Sequence, residues 1–146
     1  MVKFEELKDN GGVFPTGEKN EKYADVFIGQ SYVNMLAQAP DQHFSVGNVT
    51  FEPGCRNNWH AHIDGYQILL VTGGQGLYQE EGKAAQLLKQ GDVVVTRDGV
   101  KHWHGATADA WFSHVAITAG NAKWYEAVSE VQYEQANKEA KEKEKD

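Results

Sequence analysis

The sequence predicts an all-β domain, an antiparallel sandwich or barrel, preceded by an extended N-terminal arm and followed by a short C-terminal helix. Two observations carry the β expectation. Short apolar or alternating runs recur from Val26 onward, each closed by turn-forming residues. No segment between them has the length or the helix formers needed for a parallel crossover. The helix rests on a third observation: after Tyr133 the chain turns rich in Glu, Lys and Ala, all strong helix formers.

Residues 1–25 are polar and interrupted by Asn10-Gly11-Gly12 and Pro15-Thr16-Gly17, which suits an arm better than a core element. The barrel is expected over residues 26–122. Its strands are read at Val26–Ile28, Tyr32–Leu36, Phe44–Phe51, Gln67–Thr72, Leu77–Glu81, Ala85–Lys89, Val93–Thr96 and Trp111–Thr118. Pro53-Gly54 fits a type II turn, with proline fixing φ and glycine taking positive φ. Gly73-Gly74, Glu81-Gly82 and Asp98-Gly99 offer similar positive-φ positions between strands. Residues 123–146 form the helical tail, where Trp124, Tyr125, Val128 and Val131 are expected to pack one side on the barrel. Glu134–Lys138 and Glu139–Lys143 are spaced for favourable pairing along its solvent face.

At 146 residues the chain can bury a sizeable core without covalent staples. Its net charge of −7 argues against nucleic acid and anionic membranes as partners, which leaves a small molecule as the expected ligand. With Cys55 as the single cysteine an internal disulfide is excluded, so a reducing cytoplasm is the expected setting. The first residues carry Glu5, Glu6 and Asp9 and hold no apolar signal-peptide core.

The chemistry concentrates in histidines. His60 and His62, two apart on a strand, point to one face and can reach one ion. A third imidazole from a distant strand, His102, would complete a metal shell, with Gln67 as a fourth ligand or a hydrogen-bond partner of metal-bound water. Alternation turns His104 to the same inward side as His102, where it can serve as ligand, acid–base group or orienting donor. His114 shares its strand face with Phe112 and Ala116. His43 has no partner at motif spacing, and Cys55 reads as a small buried hydrophobe. Trp59 and Trp103 fall on the opposite strand face and are expected between sheets or at a subunit contact. Arg56 reads as an ordinary exposed arginine, with contact to an anionic substrate at the barrel mouth as the alternative.

Glycines frame these histidines. Gly54, His60-Ala61-His62, Gln67 and Gly74, then Gly91, Asp98-Gly99 and His102, follow the spacing of a known two-part signature. Over residues 44–118 the chain resembles the cupin superfamily, which implies a jelly-roll barrel with a divalent metal inside. It departs from the family pattern at three points: the glutamate is Gln67, the second-motif proline is Arg97, and the terminal asparagine is Ala106. The glutamine matters most. Three neutral imidazoles and a neutral amide leave a divalent ion its full charge, so the site should favour an anionic ligand.

His102-Trp103-His104-Gly105 and His114-Val115-Ala116-Ile117 make the chain similar to small bacterial cupins of the manganese-dependent hydroxynitrile lyase and carboxymuconolactone-decarboxylase-associated kind. That resemblance favours Mn over Zn or Fe, implies that His104 and His114 are pocket histidines that do not ligate, and points to a homodimer. The leading expectation is a Lewis-acid enzyme, a lyase, decarboxylase or isomerase acting on a small carbonyl or carboxylate compound, with His104 or His114 moving the proton. An Fe(II)-dependent dioxygenase and a non-catalytic metal- or ligand-binding cupin are the alternatives.

Overall fold

A computed structural model describes residues 13–39 and 43–145; the first twelve positions of the expected arm lie outside the described residues. The strands are β1 (Glu18–Lys19), β2 (Phe27–Ile28), β3 (Ser31–Ala39), β4 (Phe44–Phe51) and β5 (Arg56–Asn57). They continue as β6 (His60–Glu80), β7 (Gln86–Lys89), β8 (Val93–Thr96), β9 (His102–Ala106) and β10 (Phe112–Trp124). A 3-10 turn at Ala24–Val26 precedes β2, and helix α1 (Glu130–Lys145) follows β10.

These strands join in one curled sheet in the order β1-β3-β4-β10-β6-β9-β5-β2, with β7 and β8 also paired to β6. The ladders between these strands run antiparallel, and β6 meets β9 a second time through the separate His60–His102 bridge. The long strand β6 closes the barrel. Its first residue pairs with β9 (His60 opposite His102), and its far end pairs with the same strand from Glu80 opposite His102 to Gly76 opposite Ala106. Histidines remote in sequence are thereby brought side by side.

Continuity of β6 corrects one expectation. Gly73-Gly74 is not a turn between two strands; the expected Gln67–Thr72 and Leu77–Glu81 runs belong to a single strand. Gly74 takes φ +73, so the chain bends there without leaving its pairing with Phe112 on β10. A side chain at Gly74 would strike the Trp111 carbonyl, and one at Gly76 would enter the Phe112 ring. The bend therefore needs the pair of glycines as spacers, not as a reversal.

Alternation sorts the side chains into two cores. Inside the barrel, Phe51, Leu69, Val71, Tyr78, Leu88, Val94 and Phe112 pack together with the fully buried Cys55. Outside it, Trp59, Leu77 and Trp103 pack against Val128, Tyr133, Ala136 and Ala140 of the C-terminal segment. The tryptophans thus lie under the helix.

Helix α1 begins with a reciprocal cap: the Gln132 amide donates to Ser129 Oγ (3.1 Å) and the Ser129 amide to Gln132 Oε1 (2.9 Å). Its buried side is Tyr133, Ala136 and Ala140, at helical spacing. Val131 is 76% exposed and does not pack, and Trp124 ends β10 with its ring against His60, so neither serves the helix as expected. The helical phase set by Ser129 turns Val131 outward.

Arg56 is the second correction. It is neither exposed nor at the mouth: only 3% of its surface is accessible. Its guanidinium donates to the Val128 carbonyl (3.1 Å) and to Glu130 (3.0 Å), and lies 4.3 Å from the Tyr133 ring centroid. It clamps the helix start to β5. Arg56→Ala would leave a buried carbonyl without its donor, and is expected to lower unfolding free energy by about 2–3 kcal/mol. Denaturant unfolding reads this directly, and an unchanged midpoint would remove the clamp from the account.

Candidate metal centre

Strands β6 and β9 deliver three imidazoles to one point. His60 and His62 share an inward face of β6, and the His60–His102 register brings in the third. Each residue offers a ring nitrogen within 4.8 Å of the others, and all are buried. Ring centroids lie 4.2 Å apart for His60–His102, and 5.3 Å for both His60–His62 and His62–His102.

Backbone carbonyls set the orientation of two rings. His60 Nδ1 donates to Asn58 O (2.8 Å) and His102 Nδ1 to Val100 O (3.0 Å), which leaves each Nε2 as an acceptor facing the cluster. His62 has no hydrogen-bond partner on either ring nitrogen. Gln67 turns its Oε1 toward the same point, 3.4 Å from His102 Nε2, while its Nε2 donates to Thr118 Oγ1 (3.1 Å) on the adjacent strand. The amide is thus held carbonyl-first.

Burial keeps these rings neutral. It lowers His60 well below the usual histidine range, with His102 adding to the effect, and lowers His102 to about 4. Burial also lowers His62; Gln67 lies near enough to offset part of this without reaching hydrogen-bonding geometry. Three neutral nitrogen donors, one of them a buried imidazole with no other partner, and one aimed carbonyl fit a divalent ion.

A cavity of about 200 Å³ opens beside the cluster, lined in part by His60, His62 and Gln67. Its far wall is apolar: Val33 and Met35 from β3, Val49 from β4 and Ala116 from β10. His104 and His114 also line it, with ring centroids 4.9 Å apart. Burial and then His114 depress His104 far below its ordinary value, and burial alone takes His114 to about 3. His114 sits between Phe51 and Phe112 with neither ring nitrogen hydrogen-bonded. Arg56 is not a cavity residue, and His43 is exposed at φ +51.

Several cavity residues are not prominent in the sequence. Thr118 could have been found, since His114, Ala116 and Thr118 alternate inward on one strand. Asn57, Tyr23 and Trp124 carried no usable signal; they reach the cavity through a two-residue strand, a 3-10 turn and the end of β10.

Residues 47–118 match the cupin domain family Cupin_2. An (R)-mandelonitrile lyase from Granulicella tundricola is 45% identical over 115 residues, covering 75% of this chain and 87% of the relative. The chain is a cupin. A cupin-like protein from Thermotoga maritima has the same architecture, with a TM-score of 0.79 at 42% identity over 86% of this chain and 96% of its own. A predicted oxalate decarboxylase from Thermotoga maritima shares the fold at 21% identity, with a TM-score of 0.63 over 73% of this cupin and 93% of that chain. The jelly-roll architecture implied by the glycine-framed histidines is therefore present. Among the described residues, no helix of this cupin is long and apolar enough to cross a membrane.

Neutral buried histidines also set a pH dependence. Their folded-state values lie below the unfolded value of 6.5, with His102 at about 4 and His114 at about 3. Between those limits the unfolded chain binds more protons than the folded one, so stability falls as pH drops. The metal-free cupin should lose Tm steadily on acidification from pH 6.5 toward about 4. A flat Tm across that window would show that the rings are not held neutral.

Proposed function

We propose that this cupin is a metal-dependent lyase that cleaves a small α-hydroxynitrile to an aldehyde and hydrogen cyanide. In this reading His60, His62 and His102 hold the ion, Gln67 is the fourth ligand, and His104 and His114 handle the proton. The observation that carries the proposal is the His104–His114 pair: two further neutral imidazoles on the cavity wall, beyond what ligation uses. The 45% identical relative named as an (R)-mandelonitrile lyase supports this choice among lyase reactions.

Cleavage removes the hydroxyl proton, forms the carbonyl and breaks the bond to the nitrile carbon, whose electron pair leaves with cyanide. When bound, a divalent ion supplies Lewis-acid stabilisation of the developing oxyanion. Neutral ligands suit that task, because no carboxylate offsets the ion's charge. His104 takes the hydroxyl proton through an unprotonated ring nitrogen, and that same proton passes by way of the adjacent His114 to the departing cyanide, which leaves both rings neutral again. Val33, Met35, Val49 and Ala116 receive the apolar substituent of the aldehyde and exclude water. The cavity volume of about 200 Å³ restricts the substrate to a small molecule.

Manganese is the expected ion, with zinc or iron able to occupy the same donors. A homodimer and a cytoplasmic setting complete the reading; the second rests on Cys55, which is buried and free. Elemental analysis of protein purified without chelator or added metal tests the proposal. Stoichiometric manganese, lost in His60→Ala, is the expected result. Metal-free protein that cannot be loaded would overturn it, and iron with strictly oxygen-dependent turnover would point to a dioxygenase.

A further inference from the structure

Strands β3, β4 and β10 run side by side along the apolar wall of the cavity, and their registers set its side chains in rows. Val33 on β3 lies opposite Val49 on β4, which lies opposite His114 on β10. The next row is Met35, Gly47 and Ala116. Beyond it come Ser45 and Thr118, and Thr118 lies opposite Gln67 on β6. All of these residues line the cavity. The Met35 row therefore falls between the imidazole of His114 and the amide of Gln67. That is where the proposed reaction needs room for the substituent on the reacting carbon.

This row is mostly empty. Gly47 has no side chain and Ala116 only a methyl, so neither fills the space above its own strand. Met35 reaches into that space from the side: its Sδ lies 3.4 Å and its Cε 3.9 Å from the position a Cβ on Gly47 would take. The thioether is thus folded across β4. Met35 is nevertheless 46% exposed, whereas Ala116 in the same row is 8% exposed. One side of its chain faces the cavity and the other faces water. The register with β4 shifts between Met35 and Ala37, and Met35 is the last of the described β3 residues to line the cavity. A flexible, unbranched chain with glycine beneath it and water outside can change rotamer at little cost. Its sulfur also packs favourably on aromatic rings.

We propose that Met35 is the specificity-determining residue of this cavity: its thioether forms the movable outer wall of the slot left by Gly47 and Ala116, packs on a flat apolar substituent, and sets the largest substituent the slot accepts. The inference rests on the reading that the cavity binds an α-hydroxynitrile. It adds which side chain selects among such compounds.

Two measurements separate this inference from the reading beneath it. The sequence holds two methionines, Met1 and Met35, so the methyl resonance of Met35 is assigned by its loss in Met35→Leu. In metal-free protein, titration with benzyl alcohol, an unreactive aryl probe, should shift that resonance saturably through the ring current and leave Met1 in place. In metal-loaded protein, Met35→Ala should raise the ratio of kcat/KM for the cyanohydrin of 2-naphthaldehyde to that for mandelonitrile by about 10-fold, the scale on which pocket contacts of this kind discriminate. Met35→Leu, branched and shorter in reach, serves if the alanine variant does not fold, and should raise the ratio by a smaller factor. A Met35 methyl that stays in place up to the solubility limit of benzyl alcohol, or an unchanged ratio in the folded variant, would overturn the role. If neither wild type nor variant cleaves either cyanohydrin, the failure lies with the proposed reaction, and the resonance shift still decides whether Met35 meets the substituent.

Discussion

Replacing His104 with alanine is expected to lower kcat for α-hydroxynitrile cleavage by about 10²–10⁴-fold, the range removed with a general acid–base group. Metal content should stay at the wild-type level, because the three-histidine cluster is complete without it. Burial and the neighbouring His114 hold this ring neutral, which leaves one ring nitrogen without a proton and able to accept one. The change is confined to the cavity wall, where the ring packs edge-on against Phe51 and His114. Turnover and elemental content measured on one preparation check both halves of the expectation. Retained turnover would remove His104 from the chemistry, and lost metal would make it a ligand.

The second large effect is one of opposite signs. His62 buries two ring nitrogens that make no hydrogen bond, and an unmet buried polar group costs about 1–3 kcal/mol. His62→Leu, similar in volume and apolar, should therefore stabilise the metal-free protein by about 1–3 kcal/mol. The same variant should lose the stabilisation that a metal confers, which for the wild type is about 2.7 kcal/mol at a hundredfold excess over Kd. A site kept for binding at the expense of the unliganded fold predicts that crossing. Thermal melts of both proteins, with and without Mn²⁺, measure it. If His62→Leu destabilises the metal-free form and leaves the metal response intact, His62 is a core residue and not a ligand.

How much of this could be read beforehand follows from what is local in the chain. The β4, β8 and C-terminal helical patterns are local and were legible, as was the inward side shared by His102 and His104 on β9. The span of β6 was not, because Gly73-Gly74 has the composition of a turn while the φ of +73 at Gly74 serves a bend within a continuous strand. Meeting of His60 with His102 depends on barrel closure, a non-local event, so their union was legible only through the glycine-framed family spacing. Arg56 misled for a related reason: nothing in its neighbourhood announces the helix start that buries it. Asn57 lies on a two-residue strand whose phase does not continue into β6, so alternation from His60 gave no guide to it.

The proposed ligands are neutral and stand beside two further imidazoles, His104 and His114, and the most direct test of that arrangement is turnover itself. Aldehyde release from mandelonitrile should be followed anaerobically with metal-stripped and with Mn²⁺-loaded protein. Release is expected from the loaded form alone, undiminished by the removal of oxygen. Equal release from the stripped form, or none from any loaded form, would contradict that expectation.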